Sequence, residues 1–210
     1  MVLQRNLSDR LFTPVDAASL AVFRIGFGCI MLVEMLRYFH FGWIRRYYVT
    51  PEFYFSYYGF DWVQPWGETG MALHFAGLAL LAFFIAIGYL YRFSIIAFTL
   101  GFTWVFLLDQ TQYLNHFYLV ILLGILLCVL PAQRAFSVDA RLQRRQGKAE
   151  VPAWAVWVLR AQFEVMYLYA GIVKLNPDWL RLEPMAIWMA RGTELPYQKP
   201  NSLIPQSCDR

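Results

Sequence analysis

Residues 154–179, WAVWVLRAQFEVMYLYAGIVKLNPDW, constrain this chain more than any other stretch. They are apolar enough to cross a bilayer, yet they carry Arg160, Glu164 and Lys174. Arg160, Glu164, Tyr167, Gly171 and Lys174 follow one another at steps of four, three, four and three residues, which on an α-helix lines them up along one stripe. An ionisable group at membrane depth costs several kcal/mol unless it is paired or faces a wet cavity. The spacing therefore predicts a polar seam turned into a helix bundle and away from lipid. Asn176-Pro177 ends the helix just past Lys174, because the residue before a proline is pushed out of the helical region. A lysine at the mouth of a buried polar seam is a candidate catalytic group. The competing reading is a lysine near a helix end that runs its alkyl stem out to the headgroups.

The rest of the chain has the composition of a membrane protein. Hydrophobic residues make up 59% of the 210, aromatic residues 19% and charged residues 15%, against roughly one quarter charged in a soluble domain. The net charge of +4 is concentrated in particular connections, so it reads as topology and excludes nucleic acid as a partner. Cys29 and Cys128 sit in apolar runs without paired or metal-ligand spacing and read as core thiols, and no metal site is expected. The polar opening MVLQRNLSDRLFTP is not a cleavable signal, so the first membrane helix is expected to act as the targeting element.

The expected architecture is all-α: a polytopic membrane helical bundle with about five transmembrane helices and an aromatic interfacial loop. The spans are expected at 16–38, 71–91, 93–109, 116–130 and 154–175, within a membrane domain at 16–190, with a cytoplasmic tail at 1–15 and a polar tail at 191–210. The first span can be capped by Asp16 or Ser19 and holds Arg24 and Glu34, charges that mark it as facing the bundle. Residues 40–68 are rich in Tyr, Trp and Phe but broken by Gly and Pro, a composition suited to the membrane interface. The fourth span has fifteen residues, about 22 Å of helix against roughly 30 Å of hydrocarbon. Asp109, Asn115 and His116 in its short leading turn are thus expected at or below the interface, although a histidine at a helix end also serves as a structural cap or bridge.

Counting Lys and Arg in the connections sets the orientation. Arg5, Arg10, Arg92, Arg134, Arg141, Arg144, Arg145 and Lys148 lie on one side and Arg37, Arg45 and Arg46 on the other, so the amino terminus is expected in the cytoplasm. The aromatic loop, the Asp109–His116 turn and Lys174 then all face the extracytoplasmic side. Comparable depth suggests Arg24 paired with Glu164 and Glu34 within reach of Lys174.

The runs FLLDQTQYLNHFYL, SVDARL and VLRAQFEVMYLYAGIVKLNPDWL resemble the vitamin K-dependent gamma-carboxylase family, whose membrane part is called the HTTM domain. The resemblance extends from about Asp16 to Ala190. It implies that Lys174, the lysine of a GxxKLxxDW segment, is the active-site base, that Asn115 and His116 stand near a quinone, and that Arg160 is the arginine of the LRxQ segment. The chain departs from the animal enzymes at Val173, where they carry a second lysine. Family members usually continue with more membrane helices, whereas RGTELPYQKPNSLIPQSCDR cannot make another span, so a shortened member or a fragment is expected.

The chemistry implied by the resemblance is oxidation of a reduced vitamin K, or a related naphthoquinol, by O2, coupled to proton removal from the γ-carbon of a protein glutamate and addition of CO2. A base for the first step must be an uncharged amine, a form that burial favours for lysine and not for arginine. The quinol would enter from the lipid bilayer and the glutamate-bearing peptide or protein from the outer face. Trp104, Tyr113 and Tyr167 are candidates to line the quinol pocket, against the reading of plain aromatic core. Asn115, His116 and Asp109 are candidates to orient its oxygens. The other function class is a non-catalytic membrane assembly, lipid-binding or transport component that keeps the polar seam for packing. The absence of an internal repeat disfavours transport.

Overall fold

The computed structural model describes residues 7–143 and 149–193. In chain order these form α1 (Leu7–Phe12), β1 (Pro14–Asp16), α2 (Ala18–His40), α3 (Trp43–Tyr48), α4 (Gly67–Ile87), α5 (Tyr91–Leu107), a 3₁₀ turn (Gln110–Gln112), α6 (Asn115–Val129), α7 (Val138–Leu142), β2 (Glu150–Pro152), α8 (Ala153–Val173), α9 (Pro177–Leu180) and α10 (Glu183–Thr193). By length and composition α2, α4 and α8 can each cross a membrane, and α5 and α6 are shorter apolar helices. The chain is an all-α integral membrane protein. Helix borders differ from the expected spans by up to four residues, most at α4, which runs Gly67–Ile87 where 71–91 was expected. The amino-terminal stretch expected as a tail holds α1 and β1, and its residues 1–6 lie outside the described residues. So do Arg144, Arg145 and Lys148 of the linker and all but the first three residues of the expected polar tail.

The chain divides into two units, Met1–Gln162 and Phe163–Arg210. In the first, α2 packs on α4, α4 on α5, and α5 on α6. Each helix buries one stripe at steps of three and four residues: Leu20, Arg24, Phe27, Met31, Met35 and Tyr38 on α2, and Met71, Phe75, Leu78, Ala82 and Ile85 on α4. Tyr91, Ile95, Phe98, Phe102 and Val105 continue the pattern on α5, as the period of a helix packed on one side requires. A Cβ on Gly28 would stand 2.5 Å from the Ala86 nitrogen, so α2 and α4 approach at a distance only glycine permits. Cys29, expected in the core, is exposed, and Cys128 is half-buried. In a membrane helix an apolar thiol is as well solvated by lipid as by protein, so hydropathy does not reveal its face.

The second unit holds the rest of α8, then α9 and α10. The expected break falls where Asn176 stands: its Oδ1 accepts from Trp179 N at 3.0 Å, capping α9, and its Nδ2 donates to the Val173 carbonyl at 3.0 Å, closing α8. Helices α9 and α10 were not foreseen from sequence: Pro177 was read only as the end of α8, although proline fits the first turn of a helix, as it does at the start of α9.

At one end of the first unit, here termed the linker end, the polar groups of four segments meet. Thr13 O accepts from Ala153 N, and Pro14–Asp16 pairs antiparallel with Glu150–Pro152, so α2 and α8 begin side by side. Arg24 is fully buried: Nη1 donates to the carbonyls of Ile85 (2.8 Å) and Ala86 (3.0 Å), and Nη2 to that of Phe136 (2.6 Å). The guanidinium thus caps the negative C-terminus of α4; it is held by main-chain carbonyls of its own unit, where sequence pointed to a carboxylate on α8. Gly88, in the left-handed region with φ +67°, makes the space, since a Cβ there would come within 2.3 Å of Nη1. Asp139 caps the next helix, its carboxylate accepting from Leu90 N (3.0 Å) and Tyr91 N (2.9 Å), while Arg92 donates to the carbonyls of Cys128 and Val129 that end α6. Replacing Arg24 by Met takes the donor from one buried and two part-buried carbonyl bonds. It is expected to lower stability by about 3 kcal/mol, read as the thermal midpoint of the detergent-solubilised protein, with Arg24→Lys falling between.

Candidate functional site

At the opposite, hairpin end, α5 stops at Leu107 and the chain turns through Asp109 into α6. Asp109 is 6% exposed. Its Oδ1 accepts from Thr111 N (3.0 Å) and Phe55 N (3.4 Å), and its Oδ2 from Thr111 Oγ1 (2.6 Å). Gln110 adds a bond from its N to the Phe55 carbonyl (2.8 Å) and one from Nε2 to the Ser56 carbonyl (2.9 Å). The aromatic segment before α4 is thereby stapled onto the turn. Asp109 is a cap and a staple whose acceptors are engaged, which explains why a carboxylate stands at this depth.

Two aromatic groups are built on that staple. The Trp104 ring lies 5.5 Å from Trp62 and 5.4 Å from Trp66, centroid to centroid, and Phe106 lies between Tyr57, stacked at 5.5 Å, and Tyr113 at 5.7 Å. Trp104 Nε1 and the Tyr57 hydroxyl are both buried and, among the described residues, donate to nothing. One turn along α5 from Trp104, the Gly101 carbonyl meets His74 Nε2 of α4 at 3.0 Å. The hairpin end thus gathers a cluster of aromatic rings, mostly edge-on or tilted to one another, with two buried donors lacking acceptors among the described residues. Trp104 and Tyr113 were singled out from the sequence; their ring partners Tyr57, Trp62, Trp66 and Phe106 were not, and for the first three the aromatic bias of residues 40–68 was a signal of location and not of face.

Asn115 and His116 open α6 and are exposed, with the His116 ring 4.8 Å from Phe117. Neither side chain has a hydrogen-bond partner among the described residues, so both are free to meet a ligand. Glu34 is held by Arg37 at 2.7 Å, one turn along α2. Arg160 is exposed, its guanidinium 5.7 Å from the Trp157 ring centroid. In the second unit Glu164, Tyr167, Gly171 and Lys174 are all exposed. Along α8 and just past its end these residues follow one another at the helical steps that the spacing predicts. Within the second unit the Lys174 Nζ lies over the Trp179 ring, 5.1 Å from the centroid.

Burial, together with the neighbouring Tyr38, pushes the Tyr48 phenol well above its ordinary value; burial and the Asp109 charge also raise Tyr54. These phenols keep their protons in the folded protein and lose them near pH 10 when unfolded. The associated stability is therefore full below about pH 10 and is lost as pH rises through the folded values. An alkaline absorbance titration is expected to show the buried tyrosines ionising after the exposed ones, together with unfolding. Replacing Asp109 by Ala removes the staple at a cost of about 1–2 kcal/mol. It is expected to speed limited proteolysis within residues 50–66 while leaving amide exchange in α2 and α4 unchanged.

No solved structure matches this chain. The family model described as the HTTM domain matches residues 12–205, a range that takes in the linker-end caps, the hairpin turn and the lysine segment. With a helical membrane bundle under almost the whole of that match, this chain belongs to the HTTM domain family.

Proposed function

We propose that the protein is a vitamin K-dependent gamma-carboxylase-like membrane enzyme that couples oxidation of a reduced naphthoquinone to proton abstraction from, and carboxylation of, a protein glutamate. The observation that carries the reading is Lys174 within GIVKLNPDW, at a helix break closed by Asn176, in a chain of the HTTM family. Support also comes from the hairpin end, where the Trp104 indole and the Tyr57 hydroxyl offer donors to ring oxygens. Oxidation of the naphthoquinol by O2 supplies the basicity that a γ-carbon proton demands. In this reading Lys174 accepts the proton of a quinol hydroxyl, His116 and Asn115 hydrogen-bond to the ring oxygens or to developing negative charge, and Trp104 and Tyr113 pack on the ring faces. The line of polar residues from Arg160 to Lys174 along α8 supports a second reading, a membrane assembly component that uses it for packing against a partner helix.

One experiment separates the two. Membranes holding the full chain are given a reduced naphthoquinone, O2, a glutamate-rich peptide and labelled CO2. The parent is expected to oxidise quinol and fix label, Lys174→Ala to lose about a hundredfold or more of both, and Trp104→Phe to need about fivefold more quinol for half-maximal rate. Equal label in parent and Lys174→Ala, or no quinol oxidation by the parent, sinks the enzyme reading and leaves assembly.

A further inference from the structure

At the linker end, the pairing of β1 with β2 sets the first turn of α2 beside the first turns of α8. Between them lies an open cleft of ≈ 260 Å³, with Ala153, Val156 and Trp157 as apolar wall and Asp16, Ser19 and Arg160 as polar groups. Because α2 and α8 are both long and apolar enough to cross a membrane, the cleft at their shared starting end stands at the water–lipid boundary. Arg160 is seven residues into α8, about 10 Å along the axis. Its side chain leans back toward the helix start, as helical side chains do, over Trp157 three residues earlier.

The two charges in this cleft are opposite in sign but not joined. Among the described residues neither Asp16 nor Arg160 makes an ion pair. Asp16 uses Oδ1 to accept from Ala18 N at 2.8 Å, and Oδ2 retains its capacity. Stacking of the Arg160 guanidinium on an indole leaves the planar N–H edge able to grip a phosphate. A site with a cation alone would select anionic lipid. One with a separated cation and anion selects a zwitterion; Glu150, the cross-strand partner of Asp16, stands outside the cleft lining. The apolar wall of Val156 and Trp157 suits the start of an acyl chain.

We propose that this cleft binds the headgroup of a phospholipid with a primary amine, of the phosphatidylethanolamine type, its phosphate on Arg160 and Ser19 and its ammonium on Asp16. A choline headgroup carries no N–H to donate to the carboxylate and binds less well. The inference does not depend on the proposed enzyme activity.

The test uses the full chain reconstituted in vesicles of equal parts phosphatidylethanolamine, phosphatidylcholine and phosphatidylglycerol, extracted gently, with retained lipid counted by native mass spectrometry. The parent is expected to retain the ethanolamine lipid about five- to tenfold over choline lipid and no less than phosphatidylglycerol. Asp16→Asn keeps the acceptor for Ala18 N but loses the charge, and should bring ethanolamine and choline lipids to parity. Arg160→Gln should lower retention of all three. Where a variant fails to fold, the parent alone decides: retention should fall stepwise as the amine is methylated once, twice and three times. Preferential retention of phosphatidylglycerol by the parent, an unchanged preference in a folded Asp16→Asn, or a flat methylation series overturns the proposal.

Discussion

A buried guanidinium holds the first unit together. Taking Arg24 out of water is costly, and the cost is offset because α4 ends beside it with carbonyls that have no partner of their own. Two of those carbonyls and the carbonyl of Phe136 receive its hydrogen bonds, so one side chain of α2 joins α4 to the linker after α6. The arrangement requires Gly88, both for its left-handed backbone and for the space its missing Cβ leaves. The neighbouring helix end is met in the same manner by Arg92, and the start of α5 by Asp139. The linker end is therefore a layer of helix caps, in which charge is matched to main-chain termini.

The hairpin end follows a different rule. Asp109 is fully engaged in stapling the aromatic segment to the turn, but the rings above it leave the Trp104 indole and the Tyr57 hydroxyl buried without acceptors. At the linker end the Nε of Arg24 and the Oε1 of Gln133 are likewise buried without a partner among the described residues, so an unsatisfied group does not by itself mark a site. What sets the hairpin end apart is the clustering of its two unpartnered donors among aromatic rings.

The polar residues were easy to find in the sequence and hard to assign. Arg24 stood out as a charge inside a span, yet a carboxylate of similar depth was the natural partner to choose, because sequence displays side chains and hides the carbonyls that a helix end sets free. Asp139 belongs to SVDARL, a run noticed for its resemblance alone, whose physical reason is the pair of amide nitrogens it caps. Asp109, placed among quinone-orienting candidates, is a staple instead. Arg92 and Arg134, counted for orientation, donate to main-chain carbonyls of helix α6 and of Glu150.

What the sequence determined by itself is whatever depends on local order along the chain. Apolar length makes the membrane helices, steps of three and four residues make the buried stripes and the line from Arg160 to Lys174, and Asn176-Pro177 makes the break. Which polar groups face one another, and which remain free, was decided by tertiary structure. A helix fixes the direction in which a side chain leaves it, but the partner it meets depends on where another segment happens to end, and that is a property of packing in three dimensions.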